Sequence, residues 1–238
     1  MKKSLLDMRH VPVFMWVMYW ASATAGYLIS VSQGIVPHCF PHIQGCTTIS
    51  QSGREGLSFF IFKAVMIPAA SLTAVYWVLT HHWLRSLDRD TRSTIAITTL
   101  GLIGSIFLVV YLTFLGSEGE VYRALRRYGT IIFFVFTFIA ECMLTYQCRR
   151  RLRLNWIIVV KIGLCSLVLL ELLVHGVAKF ILEETRWLEN STEWRSASVL
   201  TFYPVLTWLL WLRTGFAIRY STQSSVHETK RNPPRACS

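Results

Sequence analysis

The sequence predicts an all-α fold, a polytopic membrane bundle of six transmembrane helices with both termini cytoplasmic. Three observations carry that prediction. The chain is 53% hydrophobic and only 16% charged, against about 25% charged residues in an ordinary soluble domain. The apolar residues fall into six long runs instead of the short periodic stripes of a water-soluble core. The charges sit mainly between those runs. About 20 apolar residues, at about 1.5 Å rise each, cross a hydrocarbon core of about 30 Å. Hydrocarbon offers no partner to a peptide group, so each run must satisfy its own backbone as a helix.

The first run is Val11 to Gln33, preceded by Lys2, Lys3 and Arg9. This start imitates a secretory signal peptide, with Ala21-Ser22-Ala23 resembling a cleavage site. The run stays apolar through Gly26–Val31, too long for a signal core, so it reads as a retained span. Ser22 and Gly26 are small residues four apart, a spacing that lets another helix come close. A polar loop, Gly34–Leu57, leads to the second run, Ser58 to Thr80. His81–Arg92 reads as a short polar loop with Arg85, Arg89 and Arg92, and its His81-His82 pair as solvated. The third run is Ser93–Leu115, and Gly116–Arg127 reads as a polar loop with Glu118, Glu120, Arg123, Arg126 and Arg127. The fourth run, Tyr128–Gln147, ends at the densest basic cluster, Arg149, Arg150, Arg151 and Arg153. The fifth is Trp156–Ile181. Leu182–Arg195 reads as an acidic loop with Glu183, Glu184, Glu189 and Glu193, and the sixth run is Ser196–Leu212, which Pro204 is expected to bend.

These assignments divide the chain into a six-span domain, 1–218, and a polar tail, 219–238, expected to be disordered. An even number of spans puts both termini on one side. The N-terminus, the second and fourth loops and the tail hold most of the Lys and Arg, which makes that side cytoplasmic. The net charge of +11 would suggest nucleic acid in a soluble protein. Here the basic residues lie between apolar runs, so topology and anionic head groups account for them, and no nucleic-acid partner is expected.

Few residues carry chemistry. Cys39 and Cys46 share the first outer loop, where a disulfide and two free thiols both remain open. Cys148, beside the basic cluster, is an S-palmitoylation candidate; Cys237, with one residue after it, is in no prenylation box. Asn190-Ser191-Thr192 is a glycosylation sequon. Ionisable residues within the runs are costly in hydrocarbon and tend to face the bundle interior. Lys63, near the outer end of its run, can snorkel. Glu141 and Lys161 lie at similar depth in neighbouring runs and are expected to form a structural ion pair. Glu171, His175 and Lys179 follow one another at i, i+4, i+8 and share a stripe. The stripe reads as an interhelical hydrogen-bond cluster with Lys179 snorkelling outward, or as an acid/base or head-group site; no second carboxylate completes the latter. No metal-spaced ligand set, P-loop, dinucleotide glycine pattern or nucleophile elbow occurs, so neither metal nor cofactor is expected.

Within Thr47–Ala70, the residues Ile49, Ser50, Gly53, Glu55, Ile61 and Phe62 resemble the signature of the DRAM/Sfk superfamily, which includes the damage-regulated autophagy modulators and the GPI-anchor lipid-remodelling factor of the Golgi. His38-Cys39 is similar to the His-Cys of the GPI-remodelling branch, while the family's acidic-Trp pair near the last span is represented only by Glu193-Trp194, slightly early. Thr47 and Gly56-Leu57 depart from it, since the family has prolines there. The resemblance implies six spans, cytoplasmic termini and a role with membrane lipids. It points to His38, Ser50, Gly53 and Glu55, and to the Glu171–His175 stripe below them, as lipid-binding candidates. Gly53 would then make a tight turn, and Ser50 and Glu55 would pin the loop over the bundle.

The leading functional reading is an integral membrane protein of this type that regulates or remodels lipids without an evident catalytic centre. A membrane-embedded lipid acyltransferase or hydrolase, using His38 or His175 with Glu171, is the first alternative. A small transporter or channel is the second, which internal repeats would favour. The expected partners are membrane lipids, with proteins engaging the outer loop or the cytoplasmic basic segments. The membrane is the plasma membrane or an endomembrane of Golgi or lysosome type.

Overall fold

Six helices of 22 to 32 residues run up and down in the computed structural model, which describes residues 8–87, 90–182 and 184–217. The expectations placed on Lys2, Lys3, Arg89, Glu183, Cys237 and the 219–238 tail lie outside these residues. A 3-10 turn, Met8–His10, opens into α1 (Val11–Ser32). Two single-turn helices follow in the loop, α2 (Pro41–Gln44) and α3 (Ile49–Ser52). The remaining long helices are α4 (Gly56–Leu87), α5 (Thr91–Thr113), α6 (Glu120–Arg151), α7 (Trp156–Ile181) and α8 (Arg186–Arg213). Among the described residues there is no strand.

Five of the six, α1 with its preceding turn and α4 to α7, are long and apolar enough to cross a membrane. Helix α8 is less apolar, because seven of its first ten residues are charged or polar and Thr201, Tyr203, Pro204 and Thr207 interrupt the rest. Pro204 stays inside one continuous helix, as does Pro68 in α4.

Neighbours in sequence are neighbours in space. Helix α1 lies on α4, α4 on α5 and α5 on α6, and α8 closes the ring against α1 and α7. In lipid, apolar side chains gain little by leaving hydrocarbon, so close van der Waals fit between small residues holds helices together. Gly101 leaves room for the Trp77 ring, which a Cβ would overlap. Helix α4 crosses α1 at Ser22 and Gly26, where Ser22 Oγ donates to Phe62 O (3.4 Å) and the Phe62 ring would lie 3.3 Å from a Gly26 Cβ. Trp77, Trp83, Trp211, Tyr76 and Tyr203 fill the core.

The bundle therefore has two ends. At one, His10 meets Trp208 (5.9 Å between centroids) and Trp83 Nε1 donates to Thr214 Oγ1 (2.9 Å), so the N-terminal turn and the end of α8 lie together. At the other, which carries the α1–α4 loop, Lys63 Nζ donates to the last carbonyl of α5 at Thr113 (2.9 Å) and to Leu115 O just beyond it (3.3 Å). Lys63 thus caps a helix C-terminus, where a cation is favoured.

Three segments expected to be loops are helical. Helix α4 continues through His81–Leu87, α6 begins at Glu120, and α8 begins at Arg186. The polarity that ends each apolar run marks the exit from hydrocarbon and does not stop backbone hydrogen bonding. His81 is accordingly a half-buried helical residue, with Nδ1 3.1 Å from Thr98 Oγ1. Cys148 is fully buried on the inner face of α6, which removes it as an accessible acylation site.

Candidate functional site

The α1–α4 loop is tied down from three directions. Cys39 and Cys46 are joined as a disulfide. From α1, Tyr27 Oη donates to Cys39 O (2.6 Å), and Ser30 Oγ donates to Ser52 O (2.7 Å) and lies 2.9 Å from Ser58 Oγ. Within the loop, Thr48 and Gln51 form a reciprocal capping box over α3: Gln51 N donates to Thr48 Oγ1 (2.9 Å) and Thr48 N to Gln51 Oε1 (3.0 Å).

The third direction is the polar start of α8. Asn190 Nδ2 donates to Gly45 O (2.7 Å), Trp194 Nε1 to Thr47 O (2.9 Å) and Arg195 Nη1 to His42 O (2.9 Å). The Glu193 carboxyl faces the Ile49 and Ser50 N–H groups at the start of α3. Burial pushes its carboxyl up to about 7, against the pull of those two N–H groups and of Arg54. Gly45, with φ of 58°, lies so close to the Trp187 carbonyl that no Cβ fits. Asn190, Glu193 and Trp194 are spaced i, i+3, i+4 and so share one helix face. The sequon amide is engaged inside a helix, on the fold's own loop.

The expected site residues separate. His38 is exposed in the loop, and no contact joins it to the α7 stripe among the described residues. The loop histidine that reaches the bundle is His42, stacked on Trp20 (5.9 Å), tilted against Trp194 (5.3 Å) and 3.2 Å from Ser198 Oγ. Burial, and then the neighbouring Arg195, lower its pKa and keep it neutral. Gly53 has φ of −109°, which any residue adopts; it is needed instead because a Cβ would lie 2.5 Å from Phe62 Cγ. Glu55 is exposed, Ser50 Oγ lies 3.0 Å from Thr48 Oγ1 inside the loop, and Trp194 ties the loop to α8 through Thr47.

The α7 stripe is an interhelical cluster. Glu171 accepts from Arg195 Nε (2.6 Å) and Ser196 Oγ (3.3 Å), and Glu189 takes Lys179 (2.9 Å) and lies 3.9 Å from His175. Lys179 is paired with Glu189 and does not reach outward alone. Glu141 and Lys161 are both buried but make no direct ion pair. Lys161 Nζ donates to Thr207 Oγ1 (2.7 Å) and lies 3.5 Å from the Tyr203 ring centroid, while Tyr203 Oη donates to Glu141 O (2.6 Å) and Glu141 Oε1 has no hydrogen-bond partner.

Beneath α3 an apolar cavity of about 70 Å³ lies between α1, α4, α5, α6 and α8. Tyr19, Met66, Leu108, Phe133, Phe134 and Leu200 line it, with Glu193 at its wall and the signature residues Ile49 and Phe62 along it. A polar basin of about 310 Å³ adjoins it at the looped end, and the two share Tyr111 and Thr130 as walls. Arg54, Arg123, Arg126 and Arg127 surround that basin with Ser50. These arginines escape a search for buried charge in the apolar runs, because every one of them lies outside the runs.

Compared with protein-family models, with curated proteins and with solved structures, the chain has no match.

Proposed function

We propose that this chain is a six-span membrane protein of the DRAM/Sfk type, with both termini cytoplasmic, that binds a membrane lipid and through it regulates or remodels lipids. The observation that carries the reading is the adjacency of a polar basin at the looped end and a small apolar cavity inside the bundle, with Tyr111 and Thr130 as shared walls. A lipid has the same two-part character, a polar head on an apolar chain. The residues of the family resemblance support it by their convergence: Ile49 and Phe62 line the cavity, Gly53 lies on Phe62, and Glu193-Trp194 holds α3 over it. Glu171 is engaged with Arg195 and Ser196 of α8, and this reading puts the lipid at the cavity walls instead of at Glu171 and His175.

The test is lipid co-purification with mass spectrometry, comparing the wild type with Ala197→Phe, which fills the cavity wall from α8. A specific lipid retained by the wild type and depleted in the variant at equal folded yield is the expected result. Only bulk lipid, unchanged by the variant, overturns the reading.

A further inference from the structure

Resting on that reading, we infer that the lipid is anionic: its phosphate head group sits among Arg54, Arg123, Arg126 and Arg127, and the first few carbons of one chain reach the small apolar cavity past Tyr111 and Thr130.

The arginines are poorly explained by the fold alone. None has a carboxylate within ion-pair distance among the described residues. Two glutamates, Glu55 and Glu118, line the adjoining part of the basin, and Glu193 faces Arg54 from the cavity side. With Glu193 near half-protonated at neutral pH, the balance is positive. Arg54 Nε is buried without an acceptor, a donor that a closed site leaves unsatisfied only at a cost. Arg126 Nη1 is held in place by the carbonyls of Phe114 (3.2 Å) and Ser117, with the rest of its guanidinium left over. Arg123 lies in the first turn of α6, at the positive end of the helix dipole, where a cation is disfavoured.

Several guanidinium groups converging at one basin match a phosphate, whose oxygens accept paired N–H donors. The setting decides for a lipid phosphate, because the basin shares walls with an apolar cavity that a soluble anion would leave empty. Arginines on the looped side also run against the positive-inside bias that governs the other loops, so topology does not account for them.

The experiment uses the full chain, purified in a zwitterionic detergent and titrated by native mass spectrometry. The probes are dioleoyl phosphatidic acid, dioleoyl phosphatidylcholine and soluble glycerol 3-phosphate. We expect the wild type to prefer the phosphatidic acid by about tenfold over the phosphatidylcholine. Arg54→Gln with Arg127→Gln should bring the two lipids to near-equal binding, and Arg54→Lys with Arg127→Lys should restore part of the preference. Arg149→Gln with Arg150→Gln, at the opposite end of α6, should leave the preference intact. Equal binding of the two lipids by the wild type overturns the inference, as does a preference that survives the Arg54/Arg127 change. If glycerol 3-phosphate binds as tightly as the full lipid, the site is a soluble-phosphate site and the lipid assignment falls. Retention lost in Ala197→Phe but indifferent to head group would leave the lipid-binding reading standing and this inference refuted. No retention of either lipid by the wild type would refute both.

Discussion

Helix α6 carries Arg149, Arg150 and Arg151 in its last turn and Arg123, Arg126 and Arg127 near its start. At the last turn the helix dipole favours cations. Arg151 is used by the fold there: its side chain is 4% exposed, it donates to Leu84 O (3.0 Å), and Asp90 lies 3.7 Å away. Ser93, through its hydroxyl and N–H, holds the Asp90 carboxyl below its ordinary range, so Asp90 stays anionic. At the start of α6 the dipole opposes positive charge, and the arginines face a cavity without carboxylate partners. Arg151 completes the structure at one end and Arg126 binds the Phe114 and Ser117 carbonyls at the other, while Arg123 and Arg127 have no such partner among the described residues. Charge that the fold does not use is charge available to a ligand.

The largest expected effect tests the structural cluster. Arg151→Ala would strip the donor from the buried Leu84 carbonyl, and should destabilise by about 2 kcal/mol. Melting in detergent should then fall by several degrees. An unchanged melting temperature would break the comparison at its structural end. Next comes the clamp above the cavity. Trp194→Phe keeps a ring against Tyr27 and His42 but removes the Nε1–H bond to Thr47 O, at a cost of about 1 kcal/mol. The same change should make the Cys39–Gly53 stretch more sensitive to limited proteolysis.

A smaller effect is one of pH. Burial raises the Glu193 carboxyl to about 7, above the ordinary unfolded value of about 4.3. The folded chain therefore holds this proton more tightly than the unfolded chain does. Its stabilisation is complete below the unfolded value and is lost as pH rises through about 7. Melting of the wild type should fall over that window, and Glu193→Gln should flatten the slope; parallel profiles would remove Glu193 from the account. The smallest effect tests the other end of α6: Arg123→Gln should shift stability by less than about 0.5 kcal/mol. A loss as large as that of Arg151→Ala would show that both clusters are structural.

The spans themselves were legible because the bilayer sets the length of each apolar run; α7 occupies Trp156–Ile181, the very run expected. Helix ends were not legible, since α4, α6 and α8 extend past the hydrocarbon as polar helix. That error hid the site. Read as loop, Asn190, Glu193 and Trp194 have no common direction; as the start of α8 they line one face and hold α3. His38 and His42 lie four residues apart in one loop, and nothing local distinguishes them. Only the stacking of His42 between Trp20 and Trp194 does.

The sequence by itself determined the helical class and where the long apolar runs lie, because hydrocarbon imposes the same requirement on every residue that enters it. The tertiary structure decided which polar groups satisfy one another. It gave Glu171 to Arg195 and Lys161 to Thr207, and it placed Arg54 from one loop beside Arg123, Arg126 and Arg127 of another. Such pairings depend on the rotation and approach of helices distant in sequence. Hydropathy measures how apolar a helix is, and the relative rotation of two packed helices leaves that quantity unchanged.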